Sequence, residues 1–426
     1  MNITKLTKLC LLAGAIPACG LAFAPTNFYP PYDPAILFPE MHKKDPLRIG
    51  FNTEYGATKT GRNWDGKKRN VLQLHDDTQS ALAMLRDPAT PAMQTAVTQW
   101  ELANFGRRID EAGTRGRLSF TGKFEQWDIS PLMRYQFPVD LPGKLAINAS
   151  LPVRYARLYN TNLTDLTPSR DADDITVQTY LSNPTALKAV AQQLGGFTIG
   201  NWSKTGLGDL AVWLDWNKEF PQEKEALESV TLSALLGVTC PTGQKRDVNQ
   251  VFSVPFGEDG AWGMPISIGL DLDFKYHIRL GLEAEFYVVF DNTSTRRMMT
   301  FDEQTEFLLL ESGRASCDHG LEWKFFMYLQ GYRFWKGLSL RFAYEYIKHD
   351  NDTLTPKSEY FSTTIVNTAN ELREWNEHQL IFSMNYDFVD SHWGIKPQLS
   401  LFYKLPVYGK NILNPETVGG QFALNF

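Results

Sequence analysis

The chain has 426 residues, with 48 acidic against 42 basic side chains and a net charge of −6. A net acidic chain lacks the basic face that a nucleic-acid partner wants, and no stretch beyond the N-terminus approaches about 18 uninterrupted apolar residues, which excludes a membrane-spanning helix. Mean hydropathy is −0.30 and aromatics make up 13%; a β-barrel with polar lumen, polar loops and aromatic girdles has that profile.

Residues 1–24 read as a secretion signal: Lys5 and Lys8 are basic, Cys10 to Leu21 is apolar and small, and Gly20-Leu21-Ala22 offers a small-x-small cleavage site. Ile16-Pro17-Ala18-Cys19 is a lipoprotein-like box interrupted by Pro17. Cys10 and Cys19 leave with the signal. Cys240 and Cys317 remain, and in an exported chain they either pair as a disulfide or stay separate thiols. Residues 25–45, with Pro25, Pro30, Pro31, Pro34 and Pro39, read as an extended periplasmic lead-in.

From residue 46 onward the pattern is alternation with period two. Ile266, Ile268, Leu270, Leu272, Phe274 and Tyr276 face one way, and Ser267, Gly269, Asp271, Asp273 and Lys275 the other. The next segment repeats it, with Ile278, Leu280, Leu282, Ala284, Phe286 and Val288 set against Arg279, Gly281, Glu283 and Glu285. Twelve such strands are predicted, at 46–57, 116–137, 144–158, 207–219, 228–240, 264–276, 278–291, 320–333, 337–349, 376–389, 394–407 and 417–426. They exceed the ~5–6 residue norm of soluble sheets and match the ~9–11 residues that cross a bilayer at a tilt. In the second, the apolar phase shifts between Phe124 and Trp127, which predicts a β-bulge at Glu125-Gln126.

Long and short links alternate. The short ones are 138–143, 220–227, 277, 334–336 and 390–393; the long ones are 58–115, 159–206, 241–263, 292–319, 350–375 and 408–416. Twelve strands put every short link on the periplasmic side, with both termini, and every long link outside. The fold class is therefore all-β: a closed antiparallel transmembrane β-barrel spanning 46–426, of about 12 strands, with long external loops carrying short helices. Thr90 with Pro91 opens one helix that ends at Gly106, and Asn183 with Pro184 opens another that ends at Gly195. These helices either pack the loops together or form a lid over the pore.

The C-terminus alternates Phe422, Leu424 and Phe426. It resembles the signature that the barrel-assembly machinery reads in outer-membrane proteins. Gly206-Leu207-Gly208-Asp209-Leu210 opens a strand, and Gly237-Val238-Thr239-Cys240-Pro241-Thr242-Gly243 closes the next. Glycines admit tight loop-to-strand entry, and Pro241 stops the ladder at the membrane edge. The pair resembles the meta-pathway phenol-degradation family of outer-membrane barrels, which is similar in turn to the long-chain fatty-acid transporter group. The resemblance covers about residues 205–290 and the C-terminus, and Cys240 stands at a position where an apolar residue is expected. It implies a barrel in outer-membrane lipid that passes small, hydrophobic molecules.

The polar face carries charges of both signs, chiefly Asp271, Asp273, Lys275, Arg279, Glu283, Glu285, Arg341 and Glu345, with Lys123, Arg134, Arg154, Asp209, Asp215, Asp387 and Lys404 on the same face. These residues line the lumen, either bracing it by cross-strand pairs or lining a water-filled conduit. Asp318-His319 and His349-Asp350 meet at the predicted external rim, where such pairs can activate water or bind a metal. His75-Asp76-Asp77 and Asp171, Asp173 and Asp174 are acidic loop clusters, read as solvated surface. No G-x-S-x-G, Walker loop, zinc spacing or dinucleotide fingerprint is present.

The leading reading is a non-enzymatic outer-membrane channel for passive passage of small molecules, hydrophobic or aromatic ones included, with no cofactor and no nucleic-acid partner. Its partners are outer-membrane lipid, the solute, and the assembly machinery through Phe422, Leu424 and Phe426. A structural or adhesive barrel with a plugged lumen is the alternative, and a rim-active hydrolase is a third reading.

Overall fold

The computed structural model describes residues 46–138, 142–388 and 396–426. The signal segment and the proline-rich lead-in lie outside the described residues. In hydrocarbon a backbone N–H or C=O has no water to bond, so a strand can cross only if both its edges are paired. Twelve strands among the described residues meet that condition by closing a ring. They are β1 (Leu47–Thr58), β2 (Arg117–Gln136), β3 (Lys144–Ser150 continued by Val153–Asp165), β4 (Trp202–Leu207 continued by Leu210–Pro221), β5 (Leu227–Cys240) and β6 (Gly263–Phe274). The others are β7 (Ile278–Val289), β8 (Glu322–Trp335), β9 (Leu338–His349), β10 (Trp375–Asp387), β11 (Lys396–Lys410) and β12 (Glu416–Asn425). Each pairs antiparallel with its sequence neighbours. β12 returns to β1, with Arg48 opposite Asn425 and Ala57 opposite Glu416.

Side chains sort inside out relative to a soluble protein. Phe51, Trp127, Ile268, Phe286, Leu329, Phe342, Phe382 and Leu401 are exposed on the outer wall, while Arg48, Asn148, Asp273, Glu285, Lys324, Arg341, Glu345 and Lys404 are buried within. Outward rings meet across strands, as in Phe51–Phe422 at 5.9 Å and Phe342–Phe382 at 5.1 Å. Such an apolar belt is soluble only in lipid.

The predicted bulge falls elsewhere. Along β2 the even-numbered residues from Leu118 to Arg134 face inward without a break. The extra residue lies on β3, where the register against β2 shifts beside Thr121 and Asn160 takes a left-handed φ of 53°. The apolar shift in the sequence has another cause. The outer end of β2 is apolar on its inner face, because Leu118, Phe120 and Phe124 pack against the external loops. Lys123 accordingly lies on the outer face, not in the lumen. Lys275 is corrected too: β6 ends at Phe274, and Lys275 is exposed in the tight turn to β7, with Tyr276 and His277 at φ 65° and 62°.

The turns 222–226, 275–277 and 336–337 lie at the end of the barrel that carries both termini of the ring, and the long loops lie at the other. The last external link is short, because β11 runs to Lys410 and β12 starts at Glu416. Ile412 and Leu413 within it pair with Arg62 and Gly61 of the first loop.

Strand phase generates a test. Leu282 faces outward opposite Leu270 and Met327, so Leu282→Arg near the membrane midplane should cost about 2–4 kcal/mol of folding free energy in bilayers. Glu283→Gln, on the inner face, should change it by less than about 1 kcal/mol. Equal losses in a denaturant titration would reverse the inside–outside assignment.

Candidate functional site

The lumen charges are held by opposite charges or by neutral hydrogen-bond partners. Arg279 Nε donates to Asp273 Oδ1 at 2.5 Å, and Ser229 Oγ donates to the other carboxylate oxygen at 3.2 Å. Tyr328 Oη donates to Asp271 at 2.6 Å. Lys324 Nζ lies 3.3 Å from Glu285, and Lys404 lies 2.9 Å from Glu54. Arg341 donates to Gln330 through Nη2 at 2.8 Å and sits over the Tyr328 ring at 4.4 Å. Glu345 accepts from Gln379, and Glu283 bonds Ser267. Nearer the periplasmic end Arg134 pairs with Asp215, whose Oδ2 also accepts from Asn148 at 2.6 Å. Glu54 and Asp128 also carry this pattern, though the sequence reading above does not single them out. The alternation that places Ile49, Phe51 and Tyr55 outside would have assigned Glu54 inward. Buried unlike charges in register stiffen a wall that has no apolar core of its own.

The GLGD and PTG segments have a joint task. β3 breaks at Pro152, which has no N–H, and β4 breaks beside it at Gly208. Gly208 N donates to Pro152 O at 2.8 Å. A Cβ at Gly208 would stand 2.6 Å from Pro152 Cγ and 2.9 Å from Phe256 O, so only glycine allows the approach. The Asp209 carboxylate then accepts from Gly243 N and Glu258 N, each at 2.7 Å. Thr242 Oγ1 accepts from Leu210 N at 2.8 Å and donates to Gly208 O at 3.0 Å. Arg154 holds both Asp128, at 2.7 Å, and Phe256 O, at 3.2 Å. The loop 241–262 is thereby pinned into the interrupted wall, and its Phe252 and Phe256 are carried over the lumen.

There they join an apolar cap. Leu74, Leu82 and Trp100 of the first loop, Leu187 of the second, Phe252 and Phe256 of the third, Phe307 and Leu310 of the fourth and Leu413 of the last share one core with Phe120 and Phe124 of β2. Phe252 lies 6.0 Å from Phe124 and 5.9 Å from Phe307. The two predicted helices are part of it: α1 (Pro91–Phe105), capped by Thr90 Oγ1 on Met93 N and ended by Gly106 at φ 71°, and, after the short α2 (Ala172–Val177), α3 (Pro184–Val190), capped by Asn183. They knit the loops together and do not stand apart from them. Arg297 does the same with polar contacts, donating to Leu309 O, Leu310 O, Gly195 O and Asn249 Oδ1 at 2.8–2.9 Å; burial lowers its pKa to about 10.

The acidic loop clusters are joints. Asp171 and Asp174 each hold Arg115 at 2.6 Å, and Asp77 holds Arg69 at 2.6 Å. His75 Nδ1 contacts Glu306, tying the first loop to the fourth. Burial works against a charged His75, but the Glu306 carboxylate outweighs it and raises the imidazole pKa; burial raises Glu306 as well.

Cys240, at the outer end of β5, and Cys317, buried in the fourth loop, are both free thiols. His319 and His349 come together, but not with Asp318 or Asp350. Asp318 is exposed, and Asp350 pairs with Lys348 at 3.0 Å. Asp352 takes their place, 2.9 Å from His349 Nε2 and 3.9 Å from His319 Nδ1. Both imidazoles are only 8% exposed, so the cluster is an internal joint and not an open rim.

No family model matches the chain, and no curated protein matches it. Solved structures do. An outer-membrane channel from Pseudomonas putida F1 superposes with a TM-score of 0.50 at 10% identity, covering 91% of this chain and 100% of that one. The transport unit of the Escherichia coli autotransporter AIDA-I has a TM-score of 0.36 at 8% identity, with 92% and 93% covered. The Pseudomonas putida toluene transporter TodX has 0.30 at 11% identity, with 89% and 88% covered. With the apolar belt, the first of these identifies the fold as a bacterial outer-membrane β-barrel, and the outer membrane is where this chain resides.

The His75–Glu306 joint makes the cap sensitive to pH. Both pKa values are raised on folding, so the folded cap binds more protons than the unfolded loops. Its stabilisation is full below the unfolded carboxylate value of about 4.3 and falls as pH rises through the raised folded values, the last part above the ordinary histidine value of about 6.5. Protease nicking of the loops should therefore increase from pH 6 to pH 9, and His75→Gln should flatten that rise. An unchanged profile in the variant would remove His75 as the cause.

Proposed function

We propose that the chain is an outer-membrane channel for passive entry of small apolar molecules, aromatic ones included. The observation that carries the reading is the aromatic cap seated directly over a lumen of paired charges. Phe124, Phe252 and Phe307 pack together and are buried, so an ion or sugar crossing the cap must shed water, at a cost of several kcal/mol for each unpaired polar group. An apolar solute gains free energy at the same step. Below the cap the lumen charges named above are engaged either by an opposite charge, as Arg279 with Asp273 and Lys324 with Glu285, or by a neutral side chain, as Asp271 with Tyr328 and Arg341 with Gln330, so holding a polar ligand there would break existing contacts. The fold shared with a solved Pseudomonas putida outer-membrane channel supports passage as the role. The paired lumen also gives weight to a second reading, a structural barrel whose interior is closed.

Uptake by intact lipopolysaccharide-bearing cells separates the two, because that surface resists apolar solutes. Cells producing the protein should take up a radiolabelled monoaromatic hydrocarbon faster than cells without it, with no change for a disaccharide. Purified protein should show little ion conductance in planar bilayers. Free entry of the disaccharide would replace the apolar channel by a general pore, and unchanged uptake of both solutes would leave the structural barrel.

A further inference from the structure

The fourth and fifth external loops meet in a three-stranded sheet, Asn292–Arg297, Ser312–Asp318 and Thr353–Pro356. At its end the chain places a thiol, an imidazole and a carboxylate together. Cys317 Sγ lies 3.7 Å from His319 Nδ1, which lies 3.9 Å from Asp352 Oδ1. One donor atom from each residue falls within 4.8 Å of the other two. Ligand atoms around tetrahedral zinc stand about 3.4–3.7 Å apart, as bond lengths of 2.0–2.3 Å require. The three donors thus need to close by no more than about 1 Å to share one cation. We propose that Cys317, His319 and Asp352 bind a divalent d-block cation of the zinc class, with the fourth position open to water.

The surroundings orient two of the donors, His319 and Asp352. Asn292 Nδ2 donates to Asp259 O at 3.0 Å, which turns Asn292 Oδ1 toward His319 Nε2 at 3.4 Å. His319 therefore keeps its proton on Nε2 and presents the Nδ1 lone pair to the cluster, the outer-partner arrangement of metal-ligating histidines. Asp352 Oδ1 accepts from Gly320 N at 3.0 Å and from His349 Nε2 at 2.9 Å, which fixes the carboxylate. His349 Nδ1 is buried without a hydrogen-bond partner, 3.9 Å from Glu322. Cys317 is a buried free thiol. Binding displaces its proton to solvent as the metal–sulfur bond forms. Thiolate and carboxylate together neutralise the cation. That balance is needed, because Arg246 and Arg296 stand nearby, sharing Asp259 at 2.7 and 3.5 Å. Sulfur and nitrogen donors select zinc or cobalt over magnesium or calcium. The cation would clip the fourth loop, through Cys317 and His319, to the start of the fifth, through Asp352.

Full-length protein purified in detergent and stripped with a chelator provides the test. It should bind Zn²⁺ with one-to-one stoichiometry in competition with a chromophoric chelator. With Co²⁺ it should develop a thiolate-to-metal charge-transfer band. Cys317→Ser should abolish that band, and Cys240→Ser should leave it intact. Asn292→Ala, which removes the outer partner of His319 together with the bond to Asp259 O and leaves the three ligands in place, should weaken Zn²⁺ binding by about 10–100-fold, and it decides the matter if Cys317→Ser fails to fold. Heat-modifiable migration on gels reports that each variant retains its barrel. Absence of Zn²⁺ uptake by the wild type, a band that survives Cys317→Ser, or undiminished affinity in Asn292→Ala would each overturn the site.

Discussion

Everything in this molecule follows from the cost of an unpaired peptide group in hydrocarbon. Several kcal/mol per group leaves a chain whose described residues form no helix long and apolar enough to span one way to cross, a ring with no edge. The ring is completed only when β12, at the end of the chain, is laid against β1 near its start. Arg48 Nε donates to Asn425 Oδ1 at 2.8 Å across that seam, both side chains buried. The closed ladder then forces the rest: apolar residues outward at every second position, and an interior that must be made of whatever lies between them.

The interior solves its own problem by pairing. Charges withdrawn from bulk water are tolerated when each has an opposite charge or a donor at hydrogen-bond distance. Strand register supplies these partners across neighbouring strands, as Glu285 and Lys324 illustrate by standing directly opposite on β7 and β8. Above the membrane the rule changes within a single strand. β2 is polar inside at Arg134 and apolar inside at Phe120 and Phe124, because its lower half faces the lumen and its upper half faces the cap.

That change marks the limit of what alternation can reveal. The twelve strands, their order, the side of the short turns and both helix caps were legible, because each rests on local chemistry: a period of two, a proline at a first turn, a glycine at a last. Alternation misplaces the bulge and turns Lys123 inward because an apolar residue in the series has two possible hosts, lipid or loop, and the sequence does not label them. Lys275 was misassigned because alternation does not say where a strand leaves the wall. Of the cap, the sequence shows the two helices and their packing among the loops, but not the joints that hold it. Its joints link residues far apart in the chain, such as His75 with Glu306, 231 positions away. The rim histidines were singled out correctly as a pair. Their carboxylate was not, since the turn that brings Asp352 back to them depends on the three-stranded loop sheet.

The shared core of the cap carries an evolutionary consequence. Surface loops of barrels ordinarily diverge one at a time, each free to lengthen or shorten under attack by phage or antibody. Here nearly every loop contributes side chains to a common interior, so an insertion in one disturbs the footing of the rest. A substitution on an outward helix face or at an exposed residue such as Tyr180 or Tyr360 leaves that interior untouched, while a change in one buried aromatic disturbs partners from several loops at once.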